Sequence, residues 1–428
     1  MTNAAELILY HDPKYRVLPR VDQLRKHPDA GVYTGLVRDL IEISMKRGIS
    51  GNLWQGYLTG VVVYHENAYS RSCEIRGAVS GGINEIALHD FRILMEYFAY
   101  DFSDVEEMLG IHLFEMIRNY QEPESDRKLY SRRIRDRIQE LSAKLAQAKT
   151  AERFKEAADS FYQDFGCGKF GLHKAFRIVH KDGDTACDIV PITNIAHIRL
   201  DDLVGYEIQK QKLCENTEAF LEGRKANNCL LFGDAGTGKS TSIRAILNEY
   251  YDRGLRIIEV YRHQFRDLVD ILAQIKNRNY KFIIYMDDLS FEEAETDYKY
   301  LKAVIEGGLE KRPDNVLIYA TSNRRHLVRE NYSDKEGDVR QDMHTSDTVQ
   351  EKLSLSLRFG VTIYFGAPVK SDFDRIVLGL AEKAGIRMPK EELLAQAGSW
   401  ELSHGGRSGR CAQQFIDYLL GRQKEGAK

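Results

Sequence analysis

The chain has 428 residues, 43% hydrophobic and 29% charged, an ordinary globular composition with room for two or three domains. A formal net charge of −3 argues against duplex nucleic acid or an anionic membrane as the main partner. The six cysteines are scattered, without C-x-x-C pairs or Cys/His ligand spacing, which argues against a zinc site and for a reducing compartment.

The first residues, Met1-Thr2-Asn3-Ala4-Ala5-Glu6, lack the basic start and apolar core of a signal peptide. No run of about 18 apolar residues occurs, so a cytoplasmic location with no membrane segment is expected. Residues 1 to about 190 read as mainly helical, with aromatic-rich stretches such as 91–98, and carry no catalytic signature. A polar, proline-containing break at 121–126 opens a charged segment that reads as one long solvated helix to about Ala158. Its basic cluster at 132–137 suits phosphate contact, but an exposed face with acidic neighbours is the plainer reading. Residues 176–179 and 188–191 read as a short hairpin or an extended connector.

From about Ile198 onward strands and helices alternate, the pattern of a parallel sheet with helices on both faces. The spacing predicts strands at 229–232, 256–261, 281–286, 315–320 and 361–365. After Pro368 only helical segments remain, at 371–383, 390–398 and 408–422. The expected architecture is α/β: a helical domain over 1–190, a P-loop core with a five-stranded parallel sheet over 191–368, and a small helical lid over 369–428.

The run Gly233-Asp234-Ala235-Gly236-Thr237-Gly238-Lys239-Ser240 matches G-x-x-x-x-G-K-[ST] at every defined position. An apolar strand pattern precedes it, and Thr241, Ile243, Ile246 and Leu247 continue it as a helix. Glycines let such a loop wrap a polyphosphate with its N–H groups inward, and the helix N-terminus adds partial positive charge. Lys239 is expected on the β- and γ-phosphates of a nucleoside triphosphate, and Ser240 on Mg²⁺. Downstream, an apolar strand ends in Asp287-Asp288, the Walker B pattern. Asp287 is expected at Mg²⁺ beside Ser240, and Asp288 in place to activate water, with Glu292 or Glu293 as substitutes. The next strand ends in Thr321-Ser322-Asn323-Arg324-Arg325, where Asn323, or alternatively Ser322, can orient that water.

These runs resemble the AAA+ ATPase superfamily over about 199–421, and more closely one bacterial family within it, an ATPase domain of unknown function. The resemblance rests on Asp287-Asp288-Leu289-Ser290-Phe291-Glu292 and on Leu317-Ile318-Tyr319-Ala320-Thr321-Ser322-Asn323-Arg324-Arg325-His326-Leu327. It implies a sensor 1 role for Asn323 and an arginine finger at Arg358, in a segment where Leu357 stands in place of the Asp of D-R-F-G. It further implies a sensor 2 arginine at Arg410, with Arg407 as runner-up, and adenine contact by Val204 and Gly205. The leading expectation is an ATP- and Mg²⁺-dependent ATPase, assembled as a homo-oligomeric ring, that remodels or switches an unidentified protein client. A DNA-linked ATPase similar to helicase loaders or replication initiators is the second, and a non-turnover ATP sensor the third.

Overall fold

The computed structural model describes residues 3–10, 16–77, 80–121, 131–180, 187–291, 297–306, 313–324, 327 and 355–422. The backbone divides into two compact units, Met1–His173 and Lys174–Lys428. The division falls ahead of residue 190 because the expected connector belongs to the sheet of the second unit.

The first unit is helical throughout its described residues, apart from one isolated bridge between Gly51 and Tyr120. Its central helix, Leu53–Tyr64, buries Leu53, Trp54, Tyr57, Leu58 and Val61 to Val63, so apolar residues all round mark it as the core of a bundle. Side-chain caps start this helix and its neighbours: Asn52 accepts from the Gln55 N–H, Asp29 from Val32, and Asn67 forms a reciprocal capping box with Ser70. The single solvated helix expected up to Ala158 is instead two helices, Arg132–Gln147 and Ala151–Phe165. Thr150 opens the second by accepting from the Arg153 N–H. Ile134, Ile138, Leu141 and Leu145 form an i, i+4, i+7, i+11 stripe that is buried, so only the opposite face meets solvent.

The second unit is built on a seven-stranded sheet in the order β2-β1-β4-β5-β6-β3-β7. Its strands are β1 (Ala175–His180), β2 (Cys187–Pro191), β3 (Cys229–Gly233), β4 (Leu255–Glu259), β5 (Lys281–Met286), β6 (Val316–Ser322) and β7 (Val361–Phe365). The five expected strands are all present and mutually parallel. β1 and β2 add an antiparallel hairpin, with β1 parallel to β4, which is why the count is seven rather than five. β5 and β6 are almost wholly buried, as near-continuous apolar runs require in a sheet covered on both faces. β6 runs to Ser322, past the expected end at 320; Ala320 pairs with Met286 at the end of β5, so Thr321 lies one residue beyond it.

The chain crosses from β3 to the far strand β4, returns through β5 to β6 beside β3, and then adds β7 on the other side. The carboxyl ends of β3 and β6 therefore flank a topological switch point, where open α/β sheets hold their ligands. After β7 come three helices, Lys370–Lys383, Lys390–Ser403 and Gly409–Arg422, with their own core of Phe373, Val377, Leu393, Ala397, Phe415 and Ile416. The middle helix runs past its expected end at 398. No described helix is long and apolar enough to cross a membrane.

Candidate nucleotide site

The loop between β3 and the helix Lys239–Tyr250 is shaped by its glycines and tied to β7. Gly233 has φ 134°, and a Cβ there would sit 2.2 Å from the Phe365 carbonyl oxygen, so only glycine passes the end of β7. The Asp234 N–H donates to that same carbonyl at 2.9 Å, and its carboxylate accepts from the Ala367 N–H at 2.7 Å. The Thr237 hydroxyl closes the loop on the Asp234 carbonyl at 2.8 Å. Gly236, at φ 74°, lies against Ser408 and Arg410 at the start of the last helix.

Lys239 is buried, and its ammonium donates to the carbonyls of Gly233 at 2.9 Å and Asp234 at 2.7 Å, and to Asn323 Oδ1 at 3.1 Å. Burial lowers its pKa, while Asp234, Asp288 and Asp287 pull the other way. Asn323 passes the contact on: its Nδ2 donates to Asp288 Oδ1 at 2.8 Å. The side chain of Ser322, the alternative, instead accepts from the Arg324 N–H. The Ser240 hydroxyl donates to Asp287 Oδ1 at 2.7 Å, and the Thr321 hydroxyl to the same oxygen at 2.6 Å. Desolvation alone would raise the Asp287 pKa, but the hydrogen bonds from Thr321 and Ser240 outweigh it and hold the carboxyl below its ordinary range.

These groups open into one cavity of about 750 Å³, a size suited to a nucleotide. Residues 235–241 form its loop wall, and Asp287, Asp288, Asn323 and Arg410 line it with them. Its apolar wall combines Leu203, Val204 and Tyr206 with Ile376 and Leu380 of the first helix after the sheet. Val204 lies 3.0 Å from the position of a Cβ on Gly379 in that helix. Gly205, at φ 81°, makes the adjoining turn, and Gly205, Gly233 and Asp234 shape the site without lining the cavity.

The backbone of Arg410 donates to the Gly236 carbonyl at 3.1 Å, which pins the start of the last helix to the loop. Arg407 pairs with Glu401 at 3.3 Å and does not line the cavity, so of these two arginines Arg410 is the one at its wall. Arg358 is not among the lining residues. It precedes β7, which runs in register with β3 from Val361 beside Cys229 to Phe365 beside Gly233. Arg358 thus lies at the amino end of the sheet, about 16 Å of strand from the loop. Glu292, Glu293, Arg325 and His326 lie outside the described residues.

Sequence reasoning missed Thr321, Arg244, Ile376, Leu380 and Gln413 on the cavity wall. Ile376 and Leu380 carry an i, i+4 signal, but it reads equally as helix core. Among the described residues no cluster of three His, Cys, Asp or Glu side chains is arranged for a metal. One carboxylate and one hydroxyl, Asp287 and Ser240, suit Mg²⁺ when phosphate and water complete its shell.

A stretch of 76 residues is 36% identical to the replication factor C large subunit of Methanococcus vannielii, covering 18% of this chain and 15% of that protein. The Thermotoga maritima RuvB Holliday junction branch migration motor superposes with a TM-score of 0.37 at 15% identity, covering 52% of this chain and 64% of that one. A mutant form of the same protein gives 0.37 at 16% identity over 52% and 65%. The chain thus spans only a small part of the replication factor and just under two thirds of these RuvB chains. A family model matches residues 172–423, from the edge of the sheet to the last helix and more than half of the chain, and its description is a protein of unknown function, DUF815. The chain belongs to that family.

Proposed function

We propose that this protein is an AAA+-type ATPase that binds ATP with Mg²⁺ and couples hydrolysis to the remodelling or switching of a protein client through its helical N-terminal unit. The observation that carries this reading is one cavity joining the Lys239 ammonium, the Ser240–Asp287 pair and the Asn323–Asp288 pair. Mg²⁺ supplies charge neutralisation at the β- and γ-phosphates when it is bound. Residues 235–241 hold the phosphates with their N–H groups, Lys239 sets a point charge against them, and Asp287 with Ser240 forms the metal seat. Asp288 acts as the proton acceptor for the attacking water, held by Asn323 in its productive direction. The wall of Leu203, Val204, Ile376 and Leu380 receives the base, and the three-helix cluster works as a lid whose angle Arg410 reads.

Arg358, at the opposite end of β7 from its own loop, suits a neighbour's nucleotide, and on that basis we read the working form as a homo-oligomeric ring. The local identity with a replication factor favours, as a second reading, a DNA-linked ATPase similar to helicase loaders or replication initiators. Stimulation of phosphate release by duplex DNA would support it.

Steady-state phosphate release by the purified protein is the primary test, since its complete absence would leave only a non-turnover sensor. Asp288→Asn is expected to bind ATP normally and to slow turnover roughly 100-fold, as loss of a general base does. An unchanged rate would move the base role away from Asp288.

A further inference from the structure

We infer that Thr321 is a positioning residue for both carboxylates of the site, its one hydroxyl setting the Asp287 side chain and the Asp288 backbone together. The inference rests on the nucleotide reading above and adds a role for a residue to which the motifs of the chain assign none.

The register brings Thr321 there: Met286 pairs with Ala320 across β5 and β6, and Leu231 with Thr321 across β3 and β6. Thr321 is therefore enclosed between the loop strand and the acidic strand, and it is 1% exposed. A hydroxyl has a single proton, and here it goes to Asp287 Oδ1 at 2.6 Å. A lone pair of the same oxygen accepts the Asp288 N–H at 3.0 Å, and the Thr321 carbonyl accepts the Leu289 N–H at 2.7 Å. Two successive amides of the turn after β5 are thus fastened to one residue. Asp288 sits at φ 51°, the left-handed region that costs a side-chain-bearing residue energy and persists only where neighbours enforce it. The turn sends the Asp288 carboxylate to Asn323 and leaves Asp287 beside Ser240. The Thr321 side chain itself is a partner of the metal seat, one shell out, as groups that orient ligating carboxylates commonly are.

The test compares Thr321→Val, which keeps shape and removes the hydroxyl, with Thr321→Ser, which keeps the hydroxyl and removes the methyl. Calorimetric titration of full-length protein with ATP, in EDTA and over a Mg²⁺ series, reads the metal seat without turnover. Thr321→Val is expected to keep its affinity in EDTA, and to need about tenfold more Mg²⁺ for the same gain in affinity. Its phosphate release should fall about tenfold or more at saturating ATP, with little change in KM. Thr321→Ser should restore both quantities to within about twofold of the unsubstituted protein, because the oxygen and its proton remain. Thr321→Ala gives the same comparison if the valine variant does not fold. A Mg²⁺ gain unchanged in the valine or alanine variant overturns the role of Thr321 alone, as does a serine variant that falls as far as valine. If the unsubstituted protein binds ATP without any gain from Mg²⁺, the metal-seat reading fails and the role of Thr321 with it.

Discussion

Lys239→Ala is expected to abolish tight ATP binding while leaving the fold of the sheet unit intact. The ammonium is buried at the base of the loop, already held by the carbonyls of Gly233 and Asp234 and by Asn323. Those three acceptors occupy all three of its N–H donors, so meeting a phosphate exchanges one of these bonds, and the substitution removes a charge held in place rather than a flexible surface lysine. Truncating one partner of a buried, hydrogen-bonded charge pair costs about 2–5 kcal/mol, roughly a 30- to several-thousand-fold loss of affinity. Calorimetry with ATP and Mg²⁺ measures this directly. An unchanged dissociation constant would remove the loop as the phosphate site. Loss of folding is not expected, because three aspartates lose a neighbour of opposite sign at a solvent-open cavity rather than in a sealed core.

The second large effect is expected at Arg358. On the proposed ring reading, the length of β7 between this side chain and its own loop leaves it to act on the nucleotide of an adjacent subunit. Arg358→Ala should bind ATP as the unsubstituted protein does and lose roughly 1000-fold in turnover, as arginine fingers do when removed. Mixing it with Lys239→Ala protein should restore part of the rate, because at one kind of interface an intact loop meets an intact arginine. Turnover should rise with protein concentration through the range in which light scattering shows assembly. A rate independent of concentration in a strictly monomeric protein would leave Arg358 a structural residue. The neighbouring Leu357 is 82% exposed, an apolar side chain at the place where that contact would form.

What the sequence made legible was what lies contiguous in the chain. The loop from Gly233 to Ser240 announces itself because strand, glycines and helix follow one another, and each residue type there has a local reason. Asp287 and Asn323 were legible as polar ends of apolar strands. Thr321 was not, since a β-branched residue inside an apolar run reads as strand filler. Only the pairing of β5 with β6 puts its hydroxyl beside Asp287. The sequence already favoured Arg410 over Arg407 by its place at the helix start, but the ion pair to Glu401 and the backbone bond to Gly236 that distinguish the two are encoded by no local pattern. In the helical unit, the break before Thr150 was hidden by a charged stretch whose polar face dominates its composition. The extended character of 176–179 and 188–191 was visible, but their place beside β4 depends on a partner far along the chain.

That placement decides where the chain can be cut. A fragment beginning at residue 191 would discard β1 and most of β2, and leave β4 as the outermost strand, with the backbone groups that pair with Ala175, Phe176 and Arg177 bare. Leu255, Ile257 and Ile258 on that strand are buried, so the new rim would be apolar and open to strand addition by a second copy. A fragment beginning at Lys174 carries its own edge protection in the antiparallel hairpin. The longer piece is expected to remain monodisperse in size-exclusion chromatography without nucleotide, and the shorter one to aggregate. One hairpin of sheet border thus separates a tractable fragment from an adhesive one.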